Sequence, residues 1–184
     1  MAKSNQVRII GGEWRSRRIS FPDHEGLRPS ADRVRETLFN WLGQDLGGMR
    51  CLDLFAGSGA LGFEALSRGA SSLVMVERSR NVLEALRRNA GVLGAKKLQL
   101  HCADALEFAT AAAVDPAARF DVVFLDPPFH SAFLAQALPL VAVLLKPDAR
   151  VYVESAAVFA ETGGWRVLKR GRAGQVHFNL VTYD

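Results

Sequence analysis

A glycine-rich loop between an apolar run and a helical pattern constrains the fold of this chain more than any other feature. Residues 51–55 form the apolar run, which predicts a buried strand, and the helical pattern begins near Ala60. Gly57, Gly59 and Gly62 follow the run in the spacing G-x-G-x-x-G, which lets a backbone approach a nucleotide-like ligand closely. The segment therefore predicts the first strand–turn–helix unit of a ligand-binding α/β sheet.

The rest of the chain repeats this alternation. Further strands are predicted at residues 73–76, 98–102, 120–125 and 150–153, and helices at residues 60–68, 79–94 and 131–145. Apolar residues alternate with polar ones at positions 176, 178 and 180, which predicts one more strand, antiparallel to the others. Such alternation is typical of a mostly parallel sheet with helices on both faces, so the predicted fold class is α/β and Rossmann-like.

The N-terminal residues have a different pattern. Residues 7–21 predict two short strands around Gly11 and Gly12, and residues 22–29 predict a loop because prolines and a glycine interrupt them. Ser30 is the predicted N-cap of a helix that runs through Leu42. We therefore predict a basic β-hairpin extension and loop over residues 1–29, and a main domain over residues 30–184.

Composition excludes several classes of protein. The chain of 184 residues is 49% hydrophobic and 23% charged, and it has no apolar run near the roughly 18 residues of a membrane span. Its N-terminus has no signal pattern, and its cysteines and histidines lack zinc-site spacing, so we expect a cytoplasmic protein without bound metal. The net charge is +4, and basic residues concentrate at both ends of the chain, which favours a polyanionic partner.

The acid in front of the glycine loop indicates which cofactor the loop binds. The spacing alone is that of a dinucleotide fingerprint, but Asp53 would repel a pyrophosphate. S-adenosylmethionine fits better, because it has no phosphate and carries an ammonium and a sulfonium that a carboxylate attracts. Glu77 is expected to accept from the ribose hydroxyls. Asp104 is expected to accept from the adenine amino group, to cap a helix, or to do both.

A second motif, Asp126-Pro127-Pro128-Phe129, follows the predicted strand at residues 120–125. Prolines supply no N–H donors, but their carbonyl groups can accept hydrogen bonds. The Asp126 carboxylate accepts as well, and Phe129 offers a ring for stacking. The motif therefore predicts a pocket for a flat group that bears an amino nitrogen, in which Asp126 and the Pro127 carbonyl accept the amino protons.

Together these motifs resemble a known family. Residues 53–59, Glu77, Asp104 and residues 126–129 are similar to class I S-adenosylmethionine-dependent methyltransferases that modify amino groups. The N-terminal third resembles, more specifically, the bacterial 16S ribosomal RNA guanine-N2 methyltransferases called RsmD. The segments that carry this likeness are Arg8-Ile9-Ile10-Gly11-Gly12, Arg17-Arg18-Ile19 and Leu27-Arg28-Pro29-Ser30-x-x-Arg33-Val34-Arg35-Glu36-x-Leu38-Phe39-Asn40-Trp41-Leu42. Ser30 stands where the family more often has Thr.

The resemblance implies a seven-stranded sheet whose last strand is antiparallel, and methyl transfer to N2 of one guanine in 16S rRNA. The expected partner is the 30S subunit or an assembly intermediate of it, and the expected state is a monomer. Predicted catalytic residues are Asp126, Pro127, Pro128 and Phe129. Predicted cofactor-binding residues are Asp53, Phe55, Gly57, Ser58, Gly59, Glu77, Arg78, Asp104 and Ala105. Predicted RNA-binding residues are Arg8, Trp14, Arg15, Arg17, Arg18, Arg28, Ser30, Arg33, Arg170 and Arg172.

The RNA-binding predictions for the N-terminal region rest on three segments. The hairpin around Trp14 is basic and aromatic, which suits RNA backbone and base stacking. The turn at Arg28 and Ser30 is expected to fold over the cofactor or the substrate. Of Arg33 and Arg35, one is expected to contact RNA phosphate while the other is structural, with a surface ion pair to a neighbouring acid as the alternative.

Other functions stay open on the sequence. The Asp-Pro-Pro-Phe pocket also suits DNA adenine-N6 methyltransferases and other amino methylases, although so short a chain has no separate target-recognition domain. The glycine spacing also suits an NAD-binding dehydrogenase, which Asp53 and the lack of hydride-transfer residues weaken. A non-catalytic RNA-binding module is the fourth interpretation.

Overall fold

A computed structural model describes residues 4–25, 27–128 and 132–184, and these form nine strands and five helices. The strands are β1 (Ser4–Arg8), β2 (Arg18–Pro22), β3 (Arg50–Asp53), β4 (Ser72–Glu77), β5 (Leu98–Cys102), β6 (Phe120–Leu125), β7 (Leu145–Ser155), β8 (Trp165–Ala173) and β9 (Val176–Tyr183). The helices are α1 (Asp32–Leu42), α2 (Ala60–Ser67), α3 (Arg80–Leu93), α4 (Ala105–Ala113) and α5 (Phe133–Ala142).

Seven of the strands form one sheet in the order β5-β4-β3-β6-β7-β9-β8. Strands β3 to β7 run parallel, whereas β9 is antiparallel to both β7 and β8. This confirms the predicted Rossmann-like α/β fold with an antiparallel last strand. Alternate residues of β6 face opposite cores, because Phe124 packs with α1, α2 and α3 while Val123 packs with α4 and α5. Helices therefore cover both faces of the sheet.

The N-terminal hairpin joins the larger core. Strands β1 and β2 pair antiparallel, and their buried side chains, among them Val7 and Ile19, share a hydrophobic cluster with α1, α2 and α3. Trp14 lies in the same cluster and is only 8% exposed. The expectation that its ring stacks on RNA is therefore wrong, because the core already covers the ring. The division of the chain at residue 29 stays a prediction.

Several elements of the structure differ from the predictions, among them β7, which is longer than the predicted strand at residues 150–153. Helix α1 begins at Asp32, and Ala31 occupies the N-cap position without a side-chain hydrogen bond. The prediction that Ser30 caps this helix is therefore wrong. Strand β8 has no predicted counterpart, because its exposed and buried residues do not alternate regularly. Helix α5 is shorter than predicted and continues through Pro139. Among the described residues, no helix has the length and apolar character that crossing a membrane requires.

Candidate active site

Four neighbouring parallel strands each end at an acid. Glu77 is the last residue of β4 and Asp53 the last of β3, Asp126 directly follows β6, and Glu154 lies near the end of β7. The register places them side by side, since Asp53 is level with Phe124 and Leu125 is level with Val153. Ligands of open α/β sheets bind at this carboxyl edge. The row of acids therefore defines the candidate site.

Asp53 has an unusual environment for a carboxylate. It is 1% exposed, and its Oδ2 accepts a hydrogen bond of 3.1 Å from the backbone N–H of Gly62. Within the described part of the chain, its Oδ1 has no hydrogen-bond partner. Burial, opposed by the Gly62 bond and helped by the charge of Glu77, raises the pKa of Asp53 to about 7. A buried carboxylate oxygen without a partner suits a cationic ligand.

The glycine loop is tied to the neighbouring strand through Glu77. Gly57 has a φ of +52° and donates its N–H to Glu77 Oε2 at 3.1 Å, and Ser79 donates its N–H to Oε1 at 2.8 Å. Gly59 is the left-handed N-cap of α2. A Cβ at Gly62 would lie 2.4 Å from the terminal methyl of Met75, so any larger residue would require the Met75 side chain to shift.

The remaining predicted cofactor residues lie around this loop. Asp104 caps α4, because its Oδ1 accepts from Leu106 N at 2.8 Å and from Glu107 N at 3.2 Å, which confirms the predicted capping role. Its contact with adenine stays a prediction. Phe55 is half-buried and packs against Phe133, with 6.0 Å between the ring centroids. Ser58 and Ala105 are buried, and Arg78 is exposed.

Asp126 and Glu154 form a pair of carboxyl groups. Glu154 is 5% exposed, and its Oε1 accepts hydrogen bonds from Tyr152 Oη at 2.6 Å and from Ser30 Oγ. Removal from water first, then the charges of Glu154 and Asp53 and a side-chain hydrogen bond to Glu154, raise the pKa of Asp126 well above its usual value. A second buried acid beside Asp126 therefore favours its protonated form.

Sequence reasoning missed the role of Glu154. It predicted a strand ending at this residue but not that the strand lies beside β6, so the contact with Asp126 could not be anticipated. The signal was present as an acid at the end of an apolar strand. Of the other predicted catalytic residues, Pro127 is buried and Pro128 is exposed, whereas Phe129 lies outside the described residues.

The loop before α1 lies over the glycine loop. A Cβ at Gly57 would be 2.7 Å from the Leu27 side chain, which places Leu27 directly above that glycine. Ser30, three residues on, reaches Glu154 across the site. The loop before α1 thus contacts both the glycine loop, through Leu27, and the carboxyl pair, through Ser30.

Most of the predicted RNA-binding arginines are on the surface. Of Arg33 and Arg35, Arg35 is the structural residue. It is 1% exposed and forms ion pairs with Glu64 at 3.2 Å and with Asp32 at 2.6 Å. The exposed predicted arginines are Arg8, Arg15, Arg17, Arg18, Arg28, Arg33, Arg170 and Arg172. Their contacts with RNA stay predictions.

The fold and the acid row define a class I S-adenosylmethionine-dependent methyltransferase. A 16S rRNA N2 G1207 methyltransferase from T. thermophilus, solved with AdoMet and guanosine, shares this fold with a TM-score of 0.73 and 24% identity over 99% of this chain and 50% of that one. The Escherichia coli protein yhhF is more similar, with a TM-score of 0.86 and 38% identity over 98% of this chain and 99% of that one.

Sequence comparison identifies the family. Residues 7–182 match the family described as "Conserved hypothetical protein 95". The Ribosomal RNA small subunit methyltransferase D of Escherichia coli (strain K12) is 40% identical over 185 residues, which cover 96% of this chain and 90% of the relative. The chain therefore belongs to the ribosomal RNA small subunit methyltransferase D family, as the N-terminal motifs predicted.

Proposed function

We propose that this protein transfers a methyl group from S-adenosylmethionine to the exocyclic N2 of one guanine in 16S rRNA. The observation that carries the proposal is the position of Asp126 and Pro127 at the carboxyl end of β6, between the carboxyl groups of Asp53 and Glu154. The name of the Escherichia coli relative supports small-subunit rRNA as the substrate. The resemblance of the N-terminal segments supports guanine N2 as the methylated atom.

The residues around the glycine loop fit the proposed cofactor. When bound, the cofactor supplies a methyl group on a positively charged sulfur. Asp53, with its unpartnered Oδ1, would attract the positive charge of this ligand. Glu77 would face the ribose while it holds Gly57, and Asp104 would face the adenine while it caps α4. Each of the three acids thus has a separate part of the ligand to bind.

Asp126 and the Pro127 carbonyl would prepare the guanine amino group. The lone pair of this nitrogen is delocalised into the ring, which makes it a poor nucleophile. Hydrogen bonds from its two N–H groups to Asp126 and to the Pro127 carbonyl would favour tetrahedral geometry and hold the lone pair in line with the methyl group. Positioning of this kind supplies much of the rate of a bimolecular transfer. Once the nitrogen is methylated, Asp126 accepts the proton that it releases.

The carboxyl pair sets the protonation state in which Asp126 works. Asp126 must be ionised to accept the amino protons, whereas Glu154 and burial raise its pKa. A cation bound nearby would favour the ionised carboxylate. Tyr152 and Ser30 both donate to Glu154, which keeps that neighbour in place. We therefore expect cofactor binding to prepare Asp126 for the base.

Recognition of the RNA completes the proposal. Phe129 is proposed to stack on the target base after it leaves the helix, and such stacking is worth roughly 1–3 kcal/mol per base. The exposed arginines of the hairpin and of the α1 loop are proposed to contact RNA phosphates. The substrate is proposed to be the 30S subunit or an assembly intermediate, which places the protein in the cytoplasm, and the protein is proposed to act as a monomer.

Methyl transfer from labelled S-adenosylmethionine tests the proposal. We expect label in 16S rRNA of 30S particles from cells that lack this protein, recovered as N2-methylguanosine, and none in duplex DNA. Asp126→Ala is expected to abolish transfer and to keep the affinity for S-adenosylhomocysteine within several-fold. Asp115→Ala, an exposed acid in the turn before β6, is the matched control and should retain transfer.

Two results would contradict the proposal. Label in DNA alone would favour a DNA methylase that uses the same pocket. Thermal stabilisation by NAD but not by S-adenosylhomocysteine would favour a dehydrogenase.

A further inference from the structure

A second concave surface lies on β9 and β8, the two strands beyond β7 and its Glu154. It is a groove of about 320 Å³ at the end of β8 and β9, lined by Val158, Arg170, Gly171, Arg172, His177 and Asn179. This volume is at the lower end of the range for small-ligand sites. Two arginines and a histidine line the groove without an acid, so its walls attract anions.

Strand register places this groove next to the active site. Ser155 of β7 is level with His177 of β9, which is level with Arg172 of β8. Glu154 is level with Phe178, the residue after His177. Because neighbouring strands lie about 4.8 Å apart, the groove begins within roughly 10 Å of Glu154. Because Glu154 is level with Phe178, its side chain lies on the face opposite to the groove, so an extended polymer reaches the groove from the active site by passing over the carboxyl end of β7.

The groove occupies one face of the β8–β9 ribbon. Arg170 is level with Asn179, and Arg172 with His177, so these four side chains share a face. The opposite face is closed, because Phe178 stacks on Trp41 of α1, with ring centroids 5.4 Å apart, and a Cβ at Gly171 would meet the Phe178 ring. Only the first face is available to a ligand.

Asn179 indicates that the groove has a ligand. It is 2% exposed, and among the described residues its Nδ2 has no hydrogen-bond partner. Burial of a donor without an acceptor is unfavourable, and an amide that lines a groove can find the missing acceptor on a ligand. The guanidinium groups beside it are already positioned, because Arg170 Nη1 donates to Phe159 O at 2.9 Å and Arg172 Nε to Gly174 O at 2.9 Å.

We infer that this groove binds a nucleotide of the RNA strand next to the methylated guanine. Arg170 and Arg172 contact its phosphate, Asn179 donates to a carbonyl oxygen of its base, and Val158, which is 65% exposed, packs on the base or the sugar. Five N–H donors on each guanidinium leave enough for a phosphate beyond the backbone bond already made. The inference rests on the proposed function. The contact between Asn179 and the neighbouring base would let the protein recognise the RNA sequence next to the target guanine.

Kinetics of methyl transfer into 30S particles test this inference. Arg172→Gln and Arg170→Gln, both on the surface, are each expected to raise KM about tenfold without a change in kcat or in S-adenosylhomocysteine binding. The slope of RNA binding against salt should fall by about one for each variant. Asn179→Ala is expected to raise KM several-fold. Lys169→Gln is the matched control, since Lys169 is exposed on the same strand and level with Leu180, outside the groove.

Crosslinking identifies what occupies the groove. The variant Val158→Cys, made with Cys102→Ser because Cys102 is exposed, is labelled with 4-azidophenacyl bromide and irradiated with 30S particles. We expect a crosslink to 16S rRNA beside the target guanine, and none from the same label at Lys169→Cys. A crosslink to a ribosomal protein, or equal KM values for Arg172→Gln and Lys169→Gln, would overturn the inference. Failure of the unsubstituted protein to methylate 30S particles would instead contradict the proposed function.

Discussion

The hydroxyl of Ser30 donates a hydrogen bond to the carboxylate of Glu154, although 124 residues separate them in the chain. Through this bond the loop before α1 contacts the end of β7, where Glu154 in turn contacts Asp126. The loop that covers the glycine turn is therefore linked to the group proposed to accept the amino protons. A change in the position of this loop on cofactor binding would therefore change the surroundings of Glu154 and, through it, the pKa of Asp126.

The first prediction concerns the pH dependence of methyl transfer. Activity should fall as the pH drops through the pKa of Asp126, because the protonated acid no longer accepts the amino protons. Glu154 raises that pKa, so Glu154→Gln should lower it and move the acidic limb of the kcat/KM profile to lower pH. Glutamine keeps an acceptor for Ser30 and Tyr152. An acidic limb that coincides with that of Glu161→Gln, an exposed control, would rule out the coupling.

The second prediction concerns the stability contributed by Asp53. Its pKa rises from 3.8 to about 7 on folding, so the folded state loses stability as pH increases between these values. At pH 8, Asp53→Asn should therefore raise the free energy of unfolding by on the order of 2–4 kcal/mol relative to the unsubstituted protein. At pH 4 it should give no such gain. Urea denaturation at the two pH values measures the difference.

An exposed acid provides the control for Asp53. Arg166 lowers the pKa of Asp184 through a side-chain hydrogen bond, which is the opposite direction of shift. Asp184→Asn should therefore show no gain at pH 8. If Asp53→Asn behaves in the same way, the carboxyl of Asp53 is already ionised at neutral pH without cost. The same variant is also expected to weaken S-adenosylhomocysteine binding, because it removes the buried carboxylate.

The third prediction concerns the buried ion pairs under the hairpin. Glu64 is fully buried and accepts from Arg35 and Arg68, and from the backbone of Ile10 and Gly11. Glu64→Ala leaves two buried guanidinium groups without this carboxylate and should lower the free energy of unfolding by roughly 3–5 kcal/mol. Glu84→Ala, which breaks an exposed pair on α3, should cost about 0–1 kcal/mol. Equal losses would show that the Glu64 cluster is not what holds the hairpin.

The fourth prediction concerns the hairpin arginines. Replacement of Arg15, Arg17 and Arg18 by Gln should weaken rRNA binding and reduce the slope of log K against log salt by roughly 0.7–0.9 for each phosphate that the protein no longer neutralises. The control replaces three other basic residues, Lys96, Lys97 and Arg119, which come directly before β5 and β6, and removes the same charge. Identical slopes for the two triple variants would mean that net charge, and not the hairpin, determines the salt dependence.

The sequence predicted those parts of the fold that depend on local pattern. Strand β6 has the predicted bounds because a run of apolar residues flanked by Asp126 and prolines has few alternatives. Helix α3 starts at its predicted Ser79 cap and ends at Gly94, because both residues act within one helical turn. The motif that follows β6 lies at the carboxyl edge for the same local reason.

Long-range contacts explain the predictions that were wrong. Ser30 has the chemistry of a helix cap, but its hydroxyl bonds Glu154 instead. Trp14 lies in a basic hairpin, but the hairpin packs on α2, where Trp14 N bonds Ser67 Oγ at 2.9 Å and the ring is buried. The contact between Asp126 and Glu154 requires the order of strands in the sheet, which no local pattern contains. These are contacts between residues tens of positions apart.

Mapping of methylated nucleotides in 16S rRNA shows whether this protein methylates N2 of a guanine in the cell. Ribosomal RNA from cells with and without this protein is digested and analysed by mass spectrometry. We predict that one guanosine loses its N2-methyl group in the absence of the protein, and that the unsubstituted protein restores it whereas Asp126→Ala does not. An unchanged set of methylated nucleotides, or loss of a mark from adenine, would contradict it.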